Sequence, residues 1–222
     1  MSKKILIYTE GKSDRNFLGR YLNFLKYKDH FDMFDIEGKD KLISGEFLEK
    51  IDKILNNKHQ TYKQVCIIFD ADKKESQEID AGFDNKLKHI CKELKEKGID
   101  FPREQIFLFP NNQDDGDLED LLLGIAKHKE FISCFKSYLD CIKKKEHYKL
   151  IKNIRKNMLY AYLEALGLED LYTKKNIFDI EGEVKNECKE KYEKLKEVID
   201  FDSKSLVPLK DFLERFAKNN QK

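Results

Sequence analysis

Four short apolar runs, each followed by a helical or turn pattern, limit the fold of this chain more than any other feature. The runs cover residues 4–9, 31–36, 65–69 and 106–109, and each has the length and composition of a buried strand. Strands that alternate with helices are typical of a parallel sheet with crossover helices. The alternation fills residues 1–126. It predicts an α/β fold with a Rossmann-like parallel sheet of about four strands.

Strand patterns stop at about residue 127. Lys/Glu-rich helical patterns follow, notably over residues 143–162, 183–198 and 207–216. We therefore predict two domains: an α/β domain over residues 1–126, and a helical extension over residues 127–222 that packs on it.

Acidic residues directly follow two of the predicted strands. Glu10 and Asp14 come after the first strand, and Asp70 and Asp72 come at the end of the third. In an open parallel sheet the carboxyl ends of the strands line the crevice where ligands bind. Several carboxylates gathered there need a divalent cation to neutralise them, and oxygen ligands suit Mg²⁺ or Mn²⁺. A metal-dependent site for phosphate chemistry is the leading interpretation.

Each acidic cluster also has a purely structural explanation. Glu10 or Asp14 would cap the helix that follows and interact with its dipole, and an acidic turn after a strand is common. A third cluster, Glu119 and Asp120, lies in the first turn of a predicted helix, where acids also favour the dipole. A functional Glu119 would reach the same edge of the sheet as the other two clusters. The occurrence of several clusters at one edge favours the functional interpretation.

A basic segment in the second half offers a contact for phosphate. Lys152, Arg155 and Lys156 are spaced to share one helix face. Such a face is ordinarily solvated, but near an acidic metal site it suits a phosphodiester backbone. One of the three would stabilise the charge that develops on a transferring phosphate, and we take Lys156 as the candidate.

The overall composition excludes some classes of protein. A net charge of +1 over 222 residues gives no general basic field for nucleic acid. The five cysteines form no CxxC pair, which argues against a zinc site or a disulfide framework. No apolar stretch approaches the roughly 20 residues of a membrane span, and we expect a soluble, cytoplasmic protein.

The order of strand, Glu10-Gly11, Asp14 and helix, followed by a strand that ends in Asp70-Ala71-Asp72, resembles the TOPRIM domain. That domain occurs in topoisomerases, bacterial primases and OLD-family (overcoming lysogenization defect) nucleases. The segments over residues 109–122, 156–163 and 201–213 resemble short prokaryotic proteins related to the OLD type, so the resemblance extends over nearly the whole chain.

The resemblance implies roles for individual residues. Glu10 matches a metal ligand or general acid/base, and Asp70 and Asp72 match the metal ligands of a DxD motif. Asp14 and Glu119 match acids that help to hold a second metal in OLD-like members. Two ions would clamp the attacking and leaving oxygens of an in-line displacement.

We therefore expect a divalent-metal-dependent TOPRIM phosphodiesterase, an endonuclease or nicking enzyme that acts on DNA. The chain offers no counterpart of the companion domains of topoisomerases, primases or full-length OLD proteins, which favours a stand-alone nuclease or a subunit that works with a separate partner. A homodimer is a further assembly that we consider. Two alternatives stay open. One is a non-catalytic module that binds Mg²⁺ together with a nucleotide or nucleic acid, and the other is a regulatory subunit of a partner ATPase.

Overall fold

The computed structural model describes residues 3–36, 51, 62–74, 80–145, 147–149, 151–169, 185–186 and 189–219. The chain divides into two compact units. The first consists of Met1–Leu118 together with Lys204–Lys222, and the second consists of Glu119–Ser203. The C-terminal stretch thus belongs to the α/β unit, whereas the sequence pattern groups it with the helical extension.

The first unit contains one four-stranded sheet in which every strand pair is parallel. The strands are β1 (Lys4–Thr9), β2 (Phe31–Asp35), β3 (Tyr62–Asp70) and β4 (Ile106–Phe109). Their order across the sheet is β2-β1-β3-β4. This confirms the predicted α/β class and the Rossmann-like parallel sheet.

The helices of the described residues follow in chain order. They are α1 (Lys12–Phe24), α2 (Phe83–Glu96), α3 (Leu118–Gly124), α4 (Lys129–Lys143), α5 (Ile154–Ala165), α6 (Lys189–Val198) and α7 (Val207–Asn219). None of the described helices is long and apolar enough to cross a membrane.

Both faces of the sheet are covered, as the continuous burial of its central strands requires. On one face, Ile90 and Leu94 of α2 pack in a core with Val65 and Ile67 of β3 and Leu108 of β4. On the other face the contacts are aromatic. The ring of Phe17 in α1 lies 6.1 Å from that of Phe109, and the ring of Phe212 in α7 lies 5.4 Å from that of Phe107. These contacts attach the last helix to the α/β unit.

Most predicted boundaries agree with the observed ones. β1 and β4 match residue for residue, while β3 begins three residues earlier than predicted, at Tyr62. Cys66 is a fully buried core residue of β3, and burial raises the pKa of its thiol. Between β2 and β3 the structure describes Ile36 and Ile51, and Ile51 is helical and buried.

The second unit is helical. A backbone contact joins its two ends, because the N–H of Asp200 donates to the carbonyl of Ile125 at 2.9 Å. The side-chain hydroxyl of Tyr162 in α5 donates to the carbonyl of Val198 at 2.7 Å. The predicted helical stretch over residues 143–162 is wrong in its first half, because α4 ends at Lys143 and α5 begins at Ile154. Asn153 adopts a left-handed conformation with φ of 51°, which interrupts helical geometry before α5.

Candidate functional site

β1 and β3 lie at the point where the strand order changes direction, since the chain adds β2 on one side of β1 and then β3 on the other. β1 pairs with β2 on one side and with β3 on the other. The helices that follow β1 and β3 cover opposite faces, so their connections diverge at this point, which is where open parallel sheets bind their ligands. Thr9 is in register with Ile68, so Glu10 follows β1 beside the end of β3, where Asp70 is the last residue. Because neighbouring strands lie about 4.8 Å apart, the backbones of Glu10 and Asp70 are close neighbours.

The side chain of Asp70 is held by a backbone donor. Its Oδ1 accepts a hydrogen bond from the N–H of Leu118 at 2.9 Å, across 48 residues of chain. The next residue, Ala71, donates its N–H to the carbonyl of Phe109 at 3.1 Å and so continues the pairing of β3 with β4. A charge-assisted bond of this type fixes the orientation of the carboxylate.

Asp72 adopts a strained backbone conformation, with φ of 60°. A left-handed conformation costs a residue other than glycine about 1 kcal/mol. Two hydrogen bonds to Gly116 maintain it: the N–H of Asp72 donates to the carbonyl of Gly116 at 2.7 Å, and the N–H of Gly116 donates back at 3.0 Å. Strain that is maintained in this way is concentrated at functional sites, and here it falls on a predicted ligand.

The carboxylate of Asp72 has a cationic neighbour that the sequence analysis missed. Lys86 of α2 places its Nζ 3.0 Å from Oδ2 of Asp72 and 2.8 Å from Oδ2 of Asp80. Partial burial acts to raise the pKa of Asp80, but the hydrogen bond and positive charge of Lys86 outweigh it and hold that pKa below its ordinary value. The acidic turn after β3 is thus neutralised in part by the protein itself.

The exit of β1 is built around a helix cap. Oδ2 of Asp14 accepts the N–H of Gly11 at 2.9 Å, and the Asp14 side chain is buried at the start of α1. Asp14 therefore has the structural role that competes with metal binding as an explanation for its position. Glu10 is half-buried and directly follows β1. The metal-binding roles of both residues stay predictions.

Glu119 and Lys156 belong to the second unit. Glu119 is the second residue of α3, and its neighbour Asp120 pairs with Nε of Arg155 at 3.3 Å, which brings α3 and α5 together. Lys156 is exposed on α5, with its Nζ 5.9 Å from the centre of the Tyr160 ring. Lys152 precedes α5, so the predicted basic face loses one of its three members.

The carboxylates fit a hard divalent ion by donor type and by backbone placement. Glu10, Asp70 and Asp72 supply only oxygen ligands, which is the set that Mg²⁺ and Mn²⁺ prefer. Among the residues that the structure describes, however, no three Asp, Glu, His or Cys side chains converge closely enough to hold an ion. Coordination would therefore require at least one of these side chains to turn toward the others.

Two further charged groups at this edge were not predicted. Asp115 accepts the N–H of Phe83 at 2.8 Å, and it thereby caps α2 from a distant loop. Asp35, at the end of β2, pairs with Arg15 of α1 at 2.6 Å. Of the residues that the sequence analysis missed, Lys86 could most readily have been predicted, because it occupies the apolar face of α2 together with Ile90 and Leu94. A lysine at such a position requires an acidic partner.

Comparison with known proteins assigns a family to the chain. It has no match among curated proteins and none among solved structures. The family model described as "Protein of unknown function (DUF3226)" matches residues 3–218, which is nearly the full length. The chain therefore belongs to the DUF3226 family.

Proposed function

We propose that this protein is a divalent-metal-dependent phosphodiesterase of the TOPRIM type that nicks or cleaves DNA. Glu10, Asp70 and Asp72 would hold an Mg²⁺ or Mn²⁺ ion at the carboxyl edge of the sheet. Asp14 is the candidate for a second ion in the same unit. Glu119 and Lys156 belong to the second unit, and their roles as ion ligand and phosphate contact stay what the resemblance implies.

One observation carries the proposal: the two acidic strand ends belong to adjacent parallel strands at the switch point of the sheet. Thr9 and Ile68 are in register at the ends of β1 and β3. Ligands of open α/β sheets bind at this place. The strained backbone of Asp72 supports a functional role for that residue, since the fold maintains a costly conformation there.

In the proposed reaction, individual residues would have separate binding and catalytic roles. A bound divalent ion supplies charge neutralisation for the phosphate and activates the attacking group. Asp70, held by the N–H of Leu118, presents a fixed carboxylate, and Glu10 lies on the neighbouring strand end, where it can accept a proton or bind an ion. The exposed position of Lys156 on α5 leaves its ammonium group accessible to a phosphodiester backbone.

The test is nicking of supercoiled plasmid in the presence of Mg²⁺ or Mn²⁺, with the wild type compared with the Asp70→Asn/Asp72→Asn variant. Asparagine keeps an oxygen that can accept the N–H of Leu118, so this variant removes charge with little change of shape. We expect the nicking rate to fall about 100-fold or more, because loss of the ion removes several kcal/mol of transition-state stabilisation.

The matched control is Asp29→Asn/Asp100→Asn, which makes the same change in net charge at two exposed positions of the same unit. It should nick at the wild-type rate. Absence of metal-dependent nicking by the wild type would contradict the proposal. Retained binding of DNA or of a nucleotide in that case would favour the non-catalytic module, and activity that appears only with an added ATPase would favour the subunit.

A further inference from the structure

Lys86 is a lysine in the interior of the α/β unit. Only 3 % of its surface is exposed, and it continues the buried stripe of α2 formed by Ile90 and Leu94. An ammonium group removed from water is very costly unless it is paired with carboxylates and hydrogen-bonded. The contacts at 3.0 Å to Asp72 and 2.8 Å to Asp80 provide that pairing.

The backbone on both sides of this ion pair is fixed. Asp72 is tied to Gly116 by two hydrogen bonds, and the N–H of Gly82 donates to the carbonyl of Ala71 at 2.9 Å. The first turn of α2 is closed by the N–H of Lys86, which donates to the carbonyl of Gly82 at 2.8 Å. The turn after β3 and the start of α2 are thus joined directly. Lys86 meets Asp72 because the fold places it there, unlike a mobile surface lysine.

We propose that Lys86 is a positioning residue and an internal counter-cation, which orients and neutralises Asp72 before a divalent ion binds and thereby limits how tightly the ion is held. This inference rests on the proposed function, since it takes Asp72 as an ion ligand. Lys86 neutralises part of the acidic edge by itself, so we expect the unit to fold without the ion. The ammonium group also repels an arriving dication, because like charges a few ångströms apart interact strongly in a partly buried site.

The experiment compares wild type with Lys86→Met in EDTA and at increasing Mn²⁺ concentration, with Tm and calorimetric Mn²⁺ affinity as the readouts. Methionine keeps the apolar length of the side chain and removes its charge. We expect a lower Tm than wild type in EDTA, about tenfold tighter Mn²⁺ binding, and a Mn²⁺-induced rise in Tm at least about twice that of wild type.

The control is Lys92→Met, on the same helix. The side chain of Lys92 is 68 % exposed and lies 3.6 Å from Glu96, so its loss should leave both the Tm in EDTA and the response to Mn²⁺ at wild-type values. Should Lys86→Met fail to fold, Lys86→Met/Asp80→Asn removes one charge of each sign and still removes the contact between Lys86 and Asp72. The same enhanced response to Mn²⁺ is expected of that variant.

The outcomes separate this inference from the proposed function. An equal Mn²⁺ response in wild type and in the Lys86 variants, or no response in any of them, overturns the role of Lys86, whatever the nicking assay gives. An enhanced response in the Lys86 variants supports it even if wild type does not nick DNA. In that case the proposed phosphodiesterase activity fails while the counter-cation stands.

Discussion

The exits of β1 and β3 both carry acidic residues, but they are built in different ways. After β3, Asp70 binds the N–H of Leu118, Asp72 pairs with Gly116, and Lys86 neutralises the turn. These contacts come from segments far apart in the chain, so the β3 exit takes its shape from the whole α/β unit.

At the β1 exit, Asp14 is held by local contacts, although Arg15 also joins the exit to Asp35 of β2. Asp14 caps α1 by accepting the N–H of Gly11 three residues earlier. The hydroxyl of Thr9 donates to the carbonyl of Gly11 at 3.1 Å, again within two residues. At the end of β3, Asp70 and Asp72 are therefore held by hydrogen bonds and an ion pair from distant segments. At the end of β1, the position of Asp14 is set by the start of α1. The following changes test this difference, from the largest expected effect to the smallest.

Replacement of Gly82 should be the most damaging change at the β3 exit. Its φ of 97° is a conformation that residues with a side chain rarely adopt, and an added Cβ would lie 2.9 Å from Cγ of Lys74 and 3.3 Å from Oδ1 of Asp115. We expect Gly82→Ala to lower the free energy of unfolding by about 2 kcal/mol in urea denaturation. Gly124→Ala is the control, because a Cβ there meets nothing within 4 Å. Equal effects of the two substitutions would contradict the importance of this turn.

Removal of the distant cap on α2 should have the next largest effect. Asp115→Ala deprives the N–H of Phe83 of its acceptor, 32 residues away in the chain. The expected loss of stability is about 1–2 kcal/mol, whereas Asp115→Asn, which keeps a side-chain oxygen, should recover most of it. Urea denaturation of the two variants measures the difference. If the asparagine variant is as unstable as the alanine variant, the hydrogen bond from Phe83 to Asp115 is not what stabilises the start of α2.

The corresponding change at the β1 exit should be smaller. Asp14→Ala removes the acceptor of the Gly11 N–H, and we expect a loss of about 1 kcal/mol, typical of a helix cap. Asp14→Asn should be close to wild type in stability. A loss of nicking by Asp14→Asn at normal stability would assign Asp14 to the metal site, while normal nicking would leave it as a cap alone.

The smallest effect is expected for Lys74→Met. Lys74 lies 3.4 Å from Oδ2 of Asp115, but its side chain is 64 % exposed, so solvent weakens the interaction. We expect a change of less than about 0.5 kcal/mol in the free energy of unfolding. A larger loss would mean that Asp115 acts mainly through its ion pair with Lys74 and less through the cap of α2.

Local patterns were sufficient to predict the strands that carry the candidate site. The bounds of β1 and β4 follow from short apolar runs, which are best buried as strands of a sheet covered on both faces. The carboxylates that follow β1 and end β3 can be seen directly in the sequence. The helix predicted over the first half of residues 143–162 was wrong because that segment lacks such an apolar pattern. Its lysine-rich composition suits a helix, but it has no apolar stripe to bury, and the described helices end at Lys143 and begin again at Ile154.

The sequence by itself determined the α/β class, the parallel strands and the strand ends that carry acidic residues, because side-chain periodicity and strand ends are local properties. Only the tertiary structure decided that Lys86 neutralises Asp72, that Leu118 holds Asp70, and that α7 joins the sheet through Phe212. These contacts join residues separated by 14, 48 and about a hundred positions. Their free energy depends on burial and geometry that exist only once the sheet and its helices have assembled.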